Sequence, residues 1–301
     1  MFKSGFVSII GRPNAGKSTL LNRLIGSKVA IVADKPQTTR TSIQGVLTLG
    51  EAQIVFVDTP GIHKPDTSFN RRMMTAVRTA VEDRDLLLYL ADASAPFEPA
   101  EEEALELIGK TKAPVFLLLN KVDALKEKAL LLPLIERYGA LGRFEEFFPI
   151  SALRGQGIEE LKSAIVAKLP EGPRYFPEDY LTDQPERFLA AELIREKILH
   201  LTRQEVPHSV AVLIDQFEET PRITRIAATV YVEREGQKGI LIGAKGSMLK
   251  RVGTSARHEM ETLLGRKIFL ELFVKVRPKW RESPEFLNAI DWRSMAGSEE
   301  N

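Results

Sequence analysis

The sequence predicts two domains in series: a doubly wound α/β domain with a mostly parallel sheet, then a smaller α+β domain. Three observations carry this. Short, near-continuous apolar runs alternate with helical stretches over residues 1–170, as expected for a parallel sheet covered on both faces. The pattern breaks at Pro170, Pro173, Pro177 and Pro185, grouped around Gly172, which reads as an inter-domain linker over 171–185. Beyond it the chain reads helix, strand, strand, helix, strand.

In the first domain the expected strands are 7–10, 54–57, 86–91, 115–119 and 146–150. A further strand at 44–49 stands so close before 54 that the two should pair antiparallel at one edge. Such sheets bind ligands at the carboxyl ends of their strands. In the second part 186–202 has helical periodicity, 210–218 and 225–235 read as strands, 247–264 as a helix and 268–276 as the last strand. This gives a domain at 186–278 and a tail at 279–301.

Composition narrows the chemistry. Apolar residues make up 44% and charged residues 28%, and there is no cysteine. Disulfides, thiolate metal sites and thiol nucleophiles are excluded. No secretory signal is expected at the N-terminus, and no apolar run approaches the length of a membrane span. The net charge of +1 conceals a segregation: residues 178–219 hold ten acidic and four basic side chains, residues 222–281 five acidic and fourteen basic. A basic window of this kind suits a polyanion, or is an ordinary solvated surface.

The strand at 7–10 runs into Gly11-Arg12-Pro13-Asn14-Ala15-Gly16-Lys17-Ser18, a complete G-x-x-x-x-G-K-S phosphate loop that opens a helix at 19–25. Backbone N–H groups and the helix N-terminus can wrap phosphates, Lys17 can reach the β- and γ-phosphates, and Ser18 can bind Mg²⁺. The base is chosen elsewhere. Asn120-Lys121-Val122-Asp123 closes the strand at 115–119, and its Asp123 carboxylate can accept from guanine N1 and the exocyclic amine, which adenine cannot satisfy. Ser151-Ala152, after the next strand, is placed to meet guanine O6. Asp58-Thr59-Pro60-Gly61 ends the strand at 54–57, with Asp58 on the metal side and the Gly61 N–H toward the γ-phosphate. Thr38, Thr39 and Arg40 lie where a switch threonine that binds Mg²⁺ is expected. The chain therefore reads as a GTP-hydrolysing switch.

These motifs, in this order, resemble the Era family of translation-factor-related GTPases, and the segments Arg174-Tyr175-Phe176-Pro177-Glu178-Asp179 and Ile194-Arg195-Glu196-Lys197 extend the resemblance to the second half. It implies an α/β P-loop GTPase domain followed by an α+β type II KH domain. It also implies a nucleotide site of Gly11 to Thr19, Asp58, Thr59, Pro60, Gly61, Ile62, Asn120, Lys121, Asp123, Ser151, Ala152 and Leu153. Mg²⁺ would be held at Ser18, Thr39 and Asp58, with Thr38, Thr39, Arg40 and Gly61 as switch residues. The implied partner is the 3′ region of small-subunit (16S) rRNA during 30S assembly. The implied place is the cytoplasm, with peripheral contact at the inner face of the membrane, and a monomer is expected.

Two features depart from the common plan. Ile62 stands where many GTPases carry a glutamine that orients the attacking water; the next residue, His63, could substitute for it, and Arg40 could also act. Asn14 occupies the position at which related GTPases help hold K⁺ against the phosphates, or it braces the loop backbone.

In the second domain Gly243-Ala244-Lys245-Gly246 fits the G-x-x-G loop with which KH domains clamp single-stranded backbone. Lys245, Lys250, Arg251 and Arg257 widen the basic surface, and Ile242 and Met248 are candidates for the apolar groove beside it. Lys279 and Trp280 follow the last strand. Trp280 could stack on a base or pack under the tail. Two other readings compete with an assembly switch: an RNA-binding protein tuned by nucleotide, with incidental turnover, and a membrane-associated signalling GTPase.

Overall fold

The computed structural model describes residues 1–62, 66–109, 111–142, 144–203 and 206–293. His63 and the end of the tail, 294–301, lie outside them. The chain forms two compact units. The first contains Met1–Ala30, Thr39–Asp66 and Asn70–Asp183; the second contains Ile31–Thr38, Thr67–Phe69 and the chain from Gln184 onward.

The first unit contains β1 (Lys3–Gly11), α1 (Lys17–Ile25), β2 (Ile43–Thr48), β3 (Ala52–Asp58), α2 (Ser68–Val81) from Asn70 onward, β4 (Leu86–Asp92), α3 (Pro99–Ile108), β5 (Val115–Asn120), α4 (Leu131–Leu141), β6 (Glu146–Pro149) and α5 (Ile158–Lys168). The strand order is β2-β3-β1-β4-β5-β6. Every pair is parallel except β2 with β3, which is the antiparallel edge expected from sequence. Side chains alternate across the sheet. Leu86, Leu88 and Leu90 enter one core with α1 and α5. Leu87, Tyr89 and Ala91 enter the opposite one with α3 and Tyr138 of α4. That two-sided burial explains why these strands read as unbroken apolar runs.

Residues 171–183 lie with this unit. The amides of Tyr175 and Phe176 donate to buried Gln53 Oε1 at 2.7 and 3.0 Å, and Gln53 Nε2 returns a bond to the Phe176 carbonyl. Thr182 Oγ1 donates to the Gln44 carbonyl at 2.7 Å. The proline-rich stretch is thus hydrogen-bonded beside β2 and β3.

The second unit contains α6 (Glu186–Leu201), α7 (Val206–Ser209), β7 (Ala211–Glu219), β8 (Thr224–Val232), α8 (Glu235–Ile242), α9 (Ser247–Leu264), β9 (Ile268–Val276) and α10 (Pro284–Ile290). Its sheet is β7-β8-β9, antiparallel then parallel, with α6 and α9 over a shared core. Helix α8 corrects the sequence reading, which ran a strand through 235 and assigned no helix to 236–242. Gln237 Oε1 accepts from the Arg234 amide at 3.0 Å, and the Gln237 amide donates to the Arg234 carbonyl at 3.1 Å, which starts it. Ile31 is 1% exposed and belongs to this core. The segment 31–38 is tied to α6: Glu196 Oε1 accepts from the Val32 amide at 2.8 Å, and the Arg195 guanidinium donates to the carbonyls of Gln37 and Thr38. Among the described residues no helix is long and apolar enough to cross a membrane.

Candidate functional site

The nucleotide-type site lies at the carboxyl ends of β1, β3 and β5 and in the loop after β6, where the parallel topology places loops side by side. The phosphate loop leaves β1 at Gly11, and α1 starts at Lys17. Gly61 shows how closely the next loop approaches: a Cβ there would lie 2.7 Å from Pro13 Cα, so only glycine fits. The neighbouring Ile62 amide donates to the Gly11 carbonyl at 3.2 Å.

Three oxygens meet at the start of α1. Ser18 Oγ lies 2.7 Å from Thr39 Oγ1 and donates to Asp58 Oδ2 at 2.7 Å; Thr39 Oγ1 donates to the same oxygen at 3.4 Å. Asp58 is 0% exposed, and among the described residues its Oδ1 has no hydrogen-bond partner within normal geometry. A buried carboxylate oxygen left without a donor is costly unless a cation or its water takes the place. One carboxylate with two hydroxyls fits Mg²⁺, which binds through few protein oxygens and completes its shell with phosphate and water. Burial pushes the Asp58 carboxyl up to about 6, against the pull of Lys17. Burial likewise pushes the Lys17 ammonium down to about 8, against the pull of Asp58. Lys17 Nζ donates to the carbonyls of Gly11 and Arg12 at 3.1 and 2.8 Å. Of the two switch threonines only Thr39 reaches this cluster. The Thr38 hydroxyl donates to Ala33 and Lys35 carbonyls within its own loop.

Asn120 ties the loops after β5 and β6 to the phosphate loop. Its Nδ2 donates to the Ala15 carbonyl at 2.7 Å, and its Oδ1 accepts from the Ala152 amide at 2.9 Å. The Ser151 hydroxyl donates to Asp123 Oδ1 at 2.6 Å, which fixes the rotamer of an otherwise exposed carboxylate. The Ala152 amide is thus committed to Asn120, and a guanine O6 approaching it would share that donor. Two contributors carry no motif and were missed from sequence. Asp92, at the end of β4, pairs with Lys121 at 2.6 Å, and its carboxyl sits below the usual range, with partial burial outweighed by Lys121 and Ser94. Arg23 donates to the carbonyls of Ala152 and Leu153. The position of Asp92 at a parallel strand's carboxyl end was the one available signal.

In the second unit the G-x-x-G residues join α8 to α9. Gly243, Lys245 and Gly246 have φ of 71°, 51° and 79°. Ala244 and Lys245 are exposed, as are Lys250 and Arg251, while Ile242 and Met248 are half-buried beside the loop. A Cβ at Gly246 would meet nothing within 4 Å, so the loop's outer side has room for a ligand backbone. Ile240, 52% exposed one turn earlier, adds apolar surface that the sequence reading did not consider. Arg257 is half-committed, paired with Glu261 at 3.2 Å along its own helix.

Residues 6–121 match the family described as 50S ribosome-binding GTPase, and residues 205–281 match the KH domain. The chain is 52% identical to GTPase Era of Geotalea uraniireducens, covering 97% of this chain and 98% of the relative. It is 50% identical to GTPase Era of Geobacter metallireducens, with 97% and 98% covered. This chain belongs to the Era GTPase family. A crystal structure of Era with MgGDPNP and nucleotides 1506–1542 of 16S ribosomal RNA is 43% identical and superposes with a TM-score of 0.94, covering 97% of this chain and 99% of that one. An Aquifex aeolicus Era variant bound to GDP·AlF4⁻ is also 43% identical, with a TM-score of 0.93 and coverage of 97% and 99%. Like its family, the chain is a GTPase, with a P-loop domain of mostly parallel sheet and a C-terminal KH domain.

One candidate contact of the KH domain is withdrawn. Trp280 cannot stack on RNA: it is 0% exposed, its Nε1 donates to the Ser209 carbonyl at 2.9 Å, and its ring packs edge-on against Phe286. The basic neighbours suggested an open surface, but α10 folds over the indole. Lys279, in the turn before it, remains exposed.

Proposed function

We propose that this Era-family GTPase binds the 3′ segment of small-subunit rRNA through its KH loop and acts in 30S maturation, using GTP hydrolysis as the switch. The observation that carries the switch is the cluster of Ser18, Thr39 and Asp58, because it joins the phosphate loop, the switch segment and the end of β3 at one cation-sized point. Ser18 and Thr39 would hold Mg²⁺ directly and Asp58 through water. The ion supplies charge neutralisation between the β- and γ-phosphates. Lys17 neutralises the same phosphates, the Gly61 N–H faces the γ-phosphate, and Asp123 with Asn120 selects guanine. Loss of the γ-phosphate would free Thr39 and Gly61, an order-to-disorder switch of known type.

Ile62 offers no side-chain hydrogen bond to a water. Slow intrinsic turnover therefore follows, raised by K⁺ held at Asn14 or by the RNA partner. Asn14 is exposed in the loop with φ of 63°, within reach of anything bound there. On the RNA side, Gly243, Ala244, Lys245 and Gly246 would clamp the backbone, Ile242 and Met248 line the base groove, and Lys250, Arg251, Arg257 and Lys279 supply charge. Support for the rRNA segment is the Era complex described above, 43% identical over nearly the whole chain.

The test is GTP turnover in K⁺ and in Na⁺, with and without RNA carrying the 3′ end of 16S rRNA, for the wild type and Gly246→Asp. Stimulation by RNA that is lost in Gly246→Asp supports the assembly switch. Tight RNA binding with unchanged turnover supports the nucleotide-tuned binder. Equal rates in Na⁺ and K⁺ together with a silent Asn14→Ala remove the K⁺ reading.

A further inference from the structure

A buried polar cluster behind the phosphate loop has no part in the chemistry described so far. Glu101, in the first turn of α3, is 5% exposed. Its Oε1 accepts from the hydroxyls of Tyr89 (β4) and Tyr138 (α4) at 2.7 and 2.9 Å. Its Oε2 accepts from Arg12 at 3.5 Å, and Arg12 also pairs with Glu98 at the start of the same helix. Burial and the charge of Glu101 push both phenols far above their ordinary range, so they stay protonated donors. Burial opposes the Arg12 charge, yet Glu98 and Glu101 raise it.

Arg12 is the second residue of the phosphate loop, and its carbonyl is one of the two that hold Lys17. The loop is awkward to keep in shape: Gly11, Asn14 and Gly16 have φ of 150°, 63° and 99°. A flexible stretch would return much of its binding energy as ordering entropy, so anchoring it in advance strengthens binding. Phosphate-loop binding needs no acid at position 101 and no tyrosines behind it. An anchor needs both: one oxygen saturated by two rigid phenols, the other fixed on Arg12.

We propose that Glu101, braced by Tyr89 and Tyr138, is a positioning residue that presets the phosphate loop through Arg12 for nucleoside di- and triphosphates. The inference rests on the assignment of residues 11–18 as the phosphate site.

The test is a double-mutant cycle on the full chain, reading the Kd of a fluorescent GDP and GTP analogue, steady-state kcat and KM, and the melting temperature. Lys17→Ala tests the underlying assignment separately, since it should abolish nucleotide binding whatever Glu101 does. Glu101→Gln is expected to weaken both nucleotides about tenfold, the scale of one partly buried charge-assisted hydrogen bond, with kcat within about twofold of the wild type. Arg12→Gln should weaken binding at least as much, since it also removes the pair with Glu98, and adding Glu101→Gln in that background should weaken it no further, because Glu101 acts through Arg12. Tyr138→Phe, which keeps the ring, should weaken binding about two- to threefold, and not at all in the Arg12→Gln background. If Glu101→Gln does not fold, the Tyr138→Phe pair decides alone. A lowered melting temperature with wild-type Kd, or effects that multiply in the double variants, overturns the proposal.

Discussion

Asp58 and Lys17 illustrate how single residues store free energy for a ligand. The buried Asp58 carboxyl titrates near 6 rather than 3.8, so the folded chain takes up a proton between about pH 4 and 6 that the unfolded chain does not. The associated stability is full at low pH and falls as pH rises through 6, a loss of about 3 kcal/mol at 1.36 kcal/mol per pH unit. Lys17 titrates near 8 rather than 10.5, so its contribution recovers only as pH rises from 8 to 10.5. At neutral pH both charges are held at a cost that Mg²⁺ and phosphate offset. Binding of Mg·GDP should therefore release a proton at pH 5.5, as Asp58 ionises, and take one up at pH 9, as Lys17 is recharged. Calorimetry in buffers of different ionisation enthalpy reads both signs, and absence of a sign change between the two would contradict the assignment. Asp123 gives a second residue-scale prediction. Asp123→Asn should lose GTP binding by on the order of 10³-fold or more and regain it with xanthosine triphosphate, whose base offers the complementary hydrogen bonds. Competition binding with the two nucleotides measures it, and undiminished GTP affinity would exclude Asp123 from base recognition.

Elements differ in how openly the sequence declares them. The parallel strands were legible because both faces are buried, and α9 and β9 were legible because one long amphipathic stretch and one alternating stretch carry clean periods. Helix α8 was not, because Ile240-Leu241-Ile242 is an apolar run of three that suits a strand equally well, and only the cap at Arg234 and Gln237 decides it. The motif residues of the nucleotide site were legible from type and spacing. Asp92 and Arg23 were not, since their roles depend on partners brought close by the fold. Trp280 misled because its charged neighbours suggested an open surface, while α10, which covers it, is a short helix with a weak signal. Trp280→Ala should cost about 3–5 kcal/mol of stability through the cavity it leaves. Chemical denaturation measures that loss. A change of less than about 1 kcal/mol would mean that the indole is not the core of this corner.

On the scale of the whole molecule, the two compact units divide the switch segment between consecutive residues: Thr38 belongs to the second and Thr39 to the first. Sequence gave no sign of this, because the partners of 31–38 stand some 160 positions away on α6, as with Val32 and Glu196. Arg195, 2% exposed, is paired with Glu192 and donates to the Thr38 carbonyl, one peptide before the threonine that faces Asp58. Arg195→Met keeps most of the packing volume but removes these bonds. It should lower single-turnover GTP hydrolysis by on the order of tenfold through misplacement of Thr39, with GDP affinity unchanged. Hydrolysis at the wild-type rate would separate α6 from the switch. Lys197 pairs with both Glu196 and Glu259, so the helix that carries the Arg195 hold is also fastened to α9, whose first turn follows the G-x-x-G loop.

The membership of 31–38 in the second unit has a practical consequence for dissecting this protein. A fragment ending near residue 183 keeps every nucleotide motif yet strips Ile31 of its core and leaves the Val32 amide and the Thr38 carbonyl without α6. Proteases should cut such a fragment between Ala30 and Thr39 before anywhere else, and rates measured on it would describe a severed switch.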